Sequence, residues 1–296
     1  MTKKLYNGII TKAVGGYYDV VTSDGVICCT ARGIFRKNKI SPCAGDNVTV
    51  EIEQSAQPVI TEIAERKNHL IRPPLANLDC ALIVTSAVDP PPNAFVTDKL
   101  TAIFEGKGIE PIIVITKNDI QGCEEFAEIY RGCGFKVIYS DESGRGSDEI
   151  LSAIGGKLSA LIGNSGVGKS SLMNRIFPNL DINTAQISKK LGRGRHTTRQ
   201  VELYALPDGG YIADTPGFST VEVSRYGYVD KSELQYTFRE FESYLEHCRY
   251  RDCVHLKETG CAVTEAVEQG KINRSRYDSY VRMYEEAKKL NEWEFK

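Results

Sequence analysis

The 296-residue sequence contains no apolar run near the roughly 18 residues that a membrane-spanning helix needs, so an integral helical membrane protein is not expected. It has no surplus of charge of one sign. The formal net charge is −2, so any affinity for a polyanion must come from local patches. The stretch from Met1 to Asn7 lacks the apolar core of a secretory signal, which leaves a cytoplasmic location as the expectation. Nine cysteines are an odd number and give no paired framework. Cys28, Cys29, Cys43, Cys80, Cys123 and Cys133 are scattered and read as buried or free thiols of a reducing compartment, whereas the other three are clustered. What is present is an ordinary globular composition, 41% hydrophobic and 26% charged. The length suggests about two or three domains.

The chain is organised around Gly163, Asn164, Ser165, Gly166, Val167, Gly168, Lys169 and Ser170, followed by Ser171. This is G-x-x-x-x-G-K-[ST], a phosphate-binding loop. Glycines let consecutive N–H groups converge on one anion, the Lys169 ammonium reaches the terminal phosphates, and the Ser170 hydroxyl is a Mg²⁺ ligand. A buried strand over residues 157–162 and a helix over 171–177 are expected on either side, the context the motif needs.

Residues 1–66 read as all-β. Short runs at 8–10, 17–21, 26–29 and 47–52 are separated by Gly15-Gly16, Asp24-Gly25 and Ala44-Gly45-Asp46. An OB-fold barrel is the expected packing. Between two of its strands, residues 31–39 hold Arg32, Arg36, Lys37 and Lys39 with Phe35 and no acid. That suits RNA binding by charge and stacking, and equally a solvated hairpin loop. Residues 66–74 read as a polar linker ending in Pro73-Pro74. Beyond it, residues 67–222 alternate strands (82–84, 111–115, 137–139) with helices (95–104, and one opened by Ser147 as cap), the pattern of an α/β domain with a parallel sheet.

Thr116, Lys117, Asn118 and Asp119 follow the strand ending at Ile115. They resemble the guanine-reading N-K-x-D element of GTPases, with Thr116 where Asn is usual. The Asp119 carboxylate can accept N1–H and the exocyclic amine of guanine, and the Lys117 stem can cover a face of the base. Ser140 is a candidate for a second base-contact loop. Tyr211–Gly217 reads as a strand running into D-x-x-G, in which Asp214 would hold Mg²⁺ and Gly217 would sense the γ-phosphate. In the intervening Gly192–Arg199 loop, Thr198 is the first choice and Thr197 the second for completing the Mg²⁺ shell. Residues 189–199 carry five basic residues and no acid, Arg193 and Arg195 among them, so a polyanion can meet the switch there.

Two departures from an ordinary GTPase carry information. Phe218 follows D-x-x-G where many GTPases have a water-orienting Gln, so unaided hydrolysis should be slow, and His196 is the candidate to position the water. The base-reading element at 116–119 precedes the phosphate loop at 163, so the domain is circularly permuted. Its chain then leaves directly after the γ-phosphate sensor and enters the C-terminal region, which suits a switch.

In that region, residues 223–296, Cys248-x₄-Cys253-x-His255-x₅-Cys261 supplies three thiolates and an imidazole within 14 residues, a closed tetrahedral set for structural zinc. His247 competes with His255. A helix over 271–290 carries a net charge of +3 and an apolar face of Ile272, Tyr277, Tyr280, Val281 and Tyr284. It reads as a helix packed on the zinc module or as a nucleic-acid contact. The fold class expected is thus multidomain: an all-β OB-fold barrel, a circularly permuted α/β P-loop GTPase domain, and a mostly helical zinc-binding module.

These features together resemble the RsgA (YjeQ) family of small-ribosomal-subunit biogenesis GTPases. Residues 194–199, 116–119 ahead of 163–170, 214–218 and the Cys248/Cys253/His255/Cys261 spacing carry the resemblance, which covers nearly the whole chain. It implies late maturation of the small ribosomal subunit, rRNA as partner, and GTP hydrolysis stimulated by that particle. Binding in the GTP state and release on hydrolysis are expected, by a monomer. The rival readings are a signalling GTPase with protein partners and an assembly factor in which hydrolysis is incidental.

Overall fold

The structure is a computed structural model that describes residues 3–37, 40–54, 56–177, 201–214 and 229–289. Strands β1 (Lys4–Val14), β2 (Tyr17–Thr22), β3 (Gly25–Ala31), β4 (Asn47–Ile52) and β5 (Val59–Ile63) form a closed barrel. The order is β1-β2-β3-β5-β4, and β4 pairs back onto β1. Only the β3–β5 pairing is parallel. Gly15 and Gly16 both have positive φ, 60° and 89°, as a two-residue turn between β1 and β2 requires. Alternate residues point inward. Ile10, Val20, Cys29, Val48, Val50 and Ile60 fill the interior with Phe35, which comes from helix α1 (Gly33–Lys37). The OB-fold expectation holds, with a fifth strand over 59–63 that the sequence reading did not separate.

The stretch read as a polar linker is a hairpin. Strands β6 (His69–Ile71) and β7 (Pro74–Ala76) pair through Leu70 and Leu75, and both leucines are fully buried. Polar residues at its ends conceal this, because they are spent on the joint itself. The Arg66 guanidinium donates to both Asp46 carboxylate oxygens (2.6 and 2.7 Å), and Asn77 Nδ2 donates to the Gly45 carbonyl.

The central sheet runs β10-β9-β8-β11-β13-β12. These are β8 (Cys80–Ser86), β9 (Glu110–Thr116), β10 (Lys136–Ser140), β11 (Leu158–Ile162), β12 (Glu202–Ala205) and β13 (Tyr211–Asp214). All pairings are parallel except β12–β13. β8 and β11 are buried along their whole length, as strands covered on both faces must be. Side chains alternate between two cores. Ala81, Ile83, Ala160 and Ile162 meet α2 (Ala94–Glu105), while Cys80, Leu82, Val84 and Leu161 meet α4 (Ser147–Ile154) and α5 (Lys169–Ile176). Helix α3 (Glu124–Gly132), absent from the sequence reading, packs Ala127 and Tyr130 against Ile113 and Ile115. The cap of α4 is Gly146 rather than Ser147, which lies inside the first turn and makes no side-chain cap bond.

Among the described residues the C-terminal part has two 3-10 turns (Leu234–Thr237 and Arg239–Phe241) and helices α6 (Glu242–Leu245), α7 (Ala262–Glu268) and α8 (Arg274–Lys288). Phe238, Phe241, Tyr280 and Tyr284 form its aromatic core, which also takes in Ala102 of α2.

Candidate active site and metal centre

The phosphate loop leaves the buried end of β11 and enters α5, as the strand–loop–helix pattern predicts. Its first glycine is dictated by space: a Cβ on Gly163 would stand 2.3 Å from the Val84 carbonyl oxygen of β8. The Lys169 ammonium donates to the carbonyls of Gly163 and Asn164, both at 2.6 Å, which holds it over the bowl of the loop. Ser170, half-buried, follows in the first turn of α5.

The base-reading element lies beside this loop because β9 is two strands from β11 and both are parallel. Thr116 is buried at the end of β9. Its hydroxyl donates to the Val167 carbonyl at 2.6 Å, with the Thr85 carbonyl also in reach at 3.1 Å. The threonine thus bonds across to the phosphate loop. Lys117 adopts a left-handed backbone (φ 56°), and its ammonium donates to the carbonyls of Gly166 (2.9 Å) and Asp89 (2.6 Å). The lysine stem therefore spans from the base-reading turn to the phosphate loop. Asn118 is half-buried, and Asp119 is exposed at the tip with its carboxylate open to a ligand. Ser140 is fully buried and its hydroxyl accepts from Arg175 of α5 at 3.2 Å. Its side chain thus ties the end of β10 to α5.

β13 delivers the backbone of Asp214 beside β11, where Ala213 pairs with Ala160. The sequence candidates Arg193, Arg195, His196, Thr197, Thr198, Gly217 and Phe218 lie outside the described residues, as does Lys39. On the barrel, Lys37 is exposed, whereas Arg32 is drawn to Glu51 at 3.4 Å. Phe35 fills the barrel core and offers no ring for stacking, so the 31–39 segment is basic without an available aromatic.

Cys248, Cys253, His255 and Cys261 converge, their ligand atoms all within 4.8 Å of one another. A tetrahedral ion with bonds of about 2.3 Å to sulfur and about 2.05 Å to nitrogen implies edges of about 3.8 Å between sulfurs and about 3.6 Å from sulfur to nitrogen. The Cys248–Cys261 sulfurs are 3.9 Å apart, and His255 Nδ1 lies 3.5 and 3.4 Å from these two sulfurs. The set therefore fits a metal ion. His255 Nε2 meets the Gln235 side-chain oxygen at 2.7 Å, which fixes the tautomer that leaves Nδ1 free to ligate. His247 is exposed and outside the cluster, which settles the choice for His255. Two supports were not visible in the sequence. The Tyr277 and Tyr280 hydroxyls of α8 donate to the carbonyls of His255 and Val254, each at 2.9 Å. The Glu258 carboxylate accepts from the N–H groups of Val254, Leu256 and Lys257. Burial pushes the Glu258 carboxyl upward, but these donors prevail and hold it below its ordinary value.

A parallel sheet with a phosphate loop at its centre, a base-reading turn one strand beyond its neighbour, and the base-reading strands ahead of the phosphate loop in the chain define a circularly permuted P-loop GTPase. Family models narrow this further: the RsgA GTPase domain matches residues 63–224 and the RsgA N-terminal domain residues 7–60. The chain belongs to the RsgA GTPase family and is a GTP hydrolase. Among its relatives is the small ribosomal subunit biogenesis GTPase RsgA of Caldanaerobacter subterraneus, 43% identical over 293 residues and 98% of each chain. The protein of the same name from Bacillus subtilis is 44% identical, over 95% of this chain and 97% of its own. The crystal structure of YjeQ from Thermotoga maritima superposes with a TM-score of 0.81 at 32% identity, covering 97% of this chain and all of that one. YloQ, described as a circularly permuted GTPase, gives 0.77 at 37% identity over 96% of both chains.

Proposed function

We propose that this GTP hydrolase is a late assembly factor of the small ribosomal subunit. It binds rRNA in the GTP state and is released on hydrolysis, which the small subunit stimulates. It works as a cytoplasmic monomer in three parts: the barrel (1–66), the permuted GTPase (67–222) and a zinc-stapled module (223–296). The observation that carries the nucleotide chemistry is the Thr116–Val167 bond, which joins base-reading turn to phosphate loop so that one nucleotide can span both. The relatives' names support the ribosomal role, and the basic stretches 31–39 and 189–199 suit an RNA partner.

In this reading Asp119 reads guanine, with Lys117 over the base. The N–H groups of residues 163–168 and the Lys169 ammonium hold the phosphates, and Ser170 and Ser171 begin the helix that faces them. Ser170, Asp214 and Thr198, with Thr197 as the alternative, would hold Mg²⁺, which offsets charge on the β- and γ-phosphates. Gly217 senses the γ-phosphate. His196 positions the attacking water, the task for which Phe218 has no polar group. Arg32, Arg36, Lys37, Lys39, Arg193 and Arg195 contact RNA phosphates. Cys248, Cys253, His255 and Cys261 hold structural zinc, for which three thiolates and one imidazole are a suitable donor set.

The test is steady-state GTP hydrolysis by the purified protein alone, with small ribosomal subunits, and with large subunits as control. A slow basal rate that rises strongly with small subunits alone is expected, and His196→Ala should abolish the rise. No stimulation by either particle would favour a GTPase with protein partners.

A further inference from the structure

We propose that the barrel is part of the catalytic apparatus: Lys12 and Glu202 are positioning residues that hold the Asp214 backbone in register for Mg²⁺. This rests on the assignment of Asp214 as a magnesium residue. Three strands meet on one rung. Lys12 of β1 is the register partner of Glu202 at the start of β12, and Glu202 is the partner of Asp214 at the end of β13. The barrel thus reaches the nucleotide-bearing sheet one strand away from the Asp214 backbone, and the same rung carries a 2.9 Å ion pair between the Lys12 ammonium and the Glu202 carboxylate.

The rung needs this support. β12 has four residues, Glu202–Ala205, and among the described residues its pairing with β13 ends at the Glu202–Asp214 rung. A terminal rung of a short strand opens more readily than an internal one. On its other edge β12 pairs with β1 at Lys12. β1 is built to serve both partners. Residues Lys4 to Ile9 pair with β4, and Lys12 turns to β12 after an irregularity between Ile10 and Lys12. Such an extra residue re-aims the strand. The Thr11 hydroxyl donates to the Asp19 carbonyl and Ile9 packs against the core that contains Val201 and Leu203, so the junction is fixed on both sides of the rung. The ion pair is half-exposed, and its worth lies in register rather than in raw stability.

The test uses the full-length, metal-loaded protein. Lys12→Glu places two carboxylates on the rung, Glu202→Lys two ammonium groups, and the double exchange restores one of each. GTP hydrolysis is followed against Mg²⁺ concentration, and GDP affinity is measured without Mg²⁺. Each single variant should raise the Mg²⁺ concentration for half-maximal hydrolysis by roughly three- to tenfold, leave Mg²⁺-free GDP affinity unchanged, and be rescued by the double exchange. Single variants with a wild-type Mg²⁺ profile would overturn the proposal. So would equal losses in Mg²⁺-free GDP affinity, or a double exchange no better than the singles. An Asp214→Ala variant with a wild-type Mg²⁺ profile would instead remove the underlying Asp214 assignment.

Discussion

Thr116 puts the hydroxyl of a β-branched side chain where it can reach the next loop. The buried hydroxyl satisfies the Val167 carbonyl, which would otherwise lose its donor in a closed interior. Thr116→Val keeps the shape and removes the donor. A lost buried hydrogen bond costs about 1 kcal/mol, so GTP and GDP should bind about fivefold more weakly. Thr116→Asn, which retains a donor, should stay near wild type. Fluorescent-nucleotide titration reads both, and a Thr116→Val variant that binds like wild type would assign the loop contact no role. His69, at the joint between barrel and GTPase sheet, makes a pH prediction. Burial, reinforced by the Arg66 and Lys107 charges and opposed by Asp46, lowers its pKa from 6.5. The unfolded chain therefore takes up a proton near pH 6.5 that the folded chain refuses. Stability from this group is intact above pH 6.5 and falls as the pH drops toward the lower folded value. Melting curves at pH 7.5 and 5.5 should show His69→Gln losing less on acidification than wild type.

Helix α8 shows how an element's meaning depends on what it touches. Its sequence gives an amphipathic helix with an apolar face and a net positive charge, and that face is buried: Ile272 just before it, then Tyr277, Tyr280 and Tyr284, with Val281 half-buried. Arg276, by contrast, reads as one more solvated cation and is instead fully buried. It donates to Asp98 (2.8 Å) and Thr101 (3.1 Å) of α2 and to Glu240 (2.7 Å), while the Tyr130 hydroxyl donates to the same Asp98. Nothing local in the sequence marks this, because the partners come from 36 to 178 residues away. The same reason explains the hairpin β6–β7 and the buried ring of Phe35, where polar or basic neighbours hid a contact made elsewhere. Motif-bearing segments were legible because chemistry restricts their residues: the glycines and lysine at 163–169, the tetrapeptide at 116–119, the spaced Cys and His. Removing Arg276 strands two buried carboxylates, so Arg276→Ala should cost about 3–5 kcal/mol in urea unfolding. Arg276→Met, which leaves the same carboxylates unpaired but fills the space, should be milder than alanine yet still destabilising. A cost within error of zero would contradict the buried-pair reading.

At the scale of the molecule, both appended parts attach to elements that border the nucleotide loops. The barrel joins β12, and the metal module joins α2, which begins just after the Asp89 loop that accepts from Lys117. On the reading that the cluster holds zinc, it staples residues 248–261, which carry no helix or strand, against α8, so metal loss should loosen that segment while the sheet, with its separate cores, survives. Thiol chemistry can read this directly. Burial pushes the thiols of Cys29, Cys43, Cys80 and Cys133 to about 12, so they should resist alkylation at pH 8 in the native protein, whereas exposed Cys28 should react. Cys248, Cys253 and Cys261 should be protected as ligands. Chelation should release one metal ion per chain and expose these three together, not singly, because a tetrahedral site is closed only while complete. GDP binding should persist in the chelated protein, since Thr116, Lys117 and Lys169 bond to backbone of the sheet and its loops and not to the module. Stimulation by the small subunit should be lost. Alkylation of all three cysteines before chelation would show that they hold no ion, and loss of GDP binding with the metal would show that the module props the nucleotide site through α2.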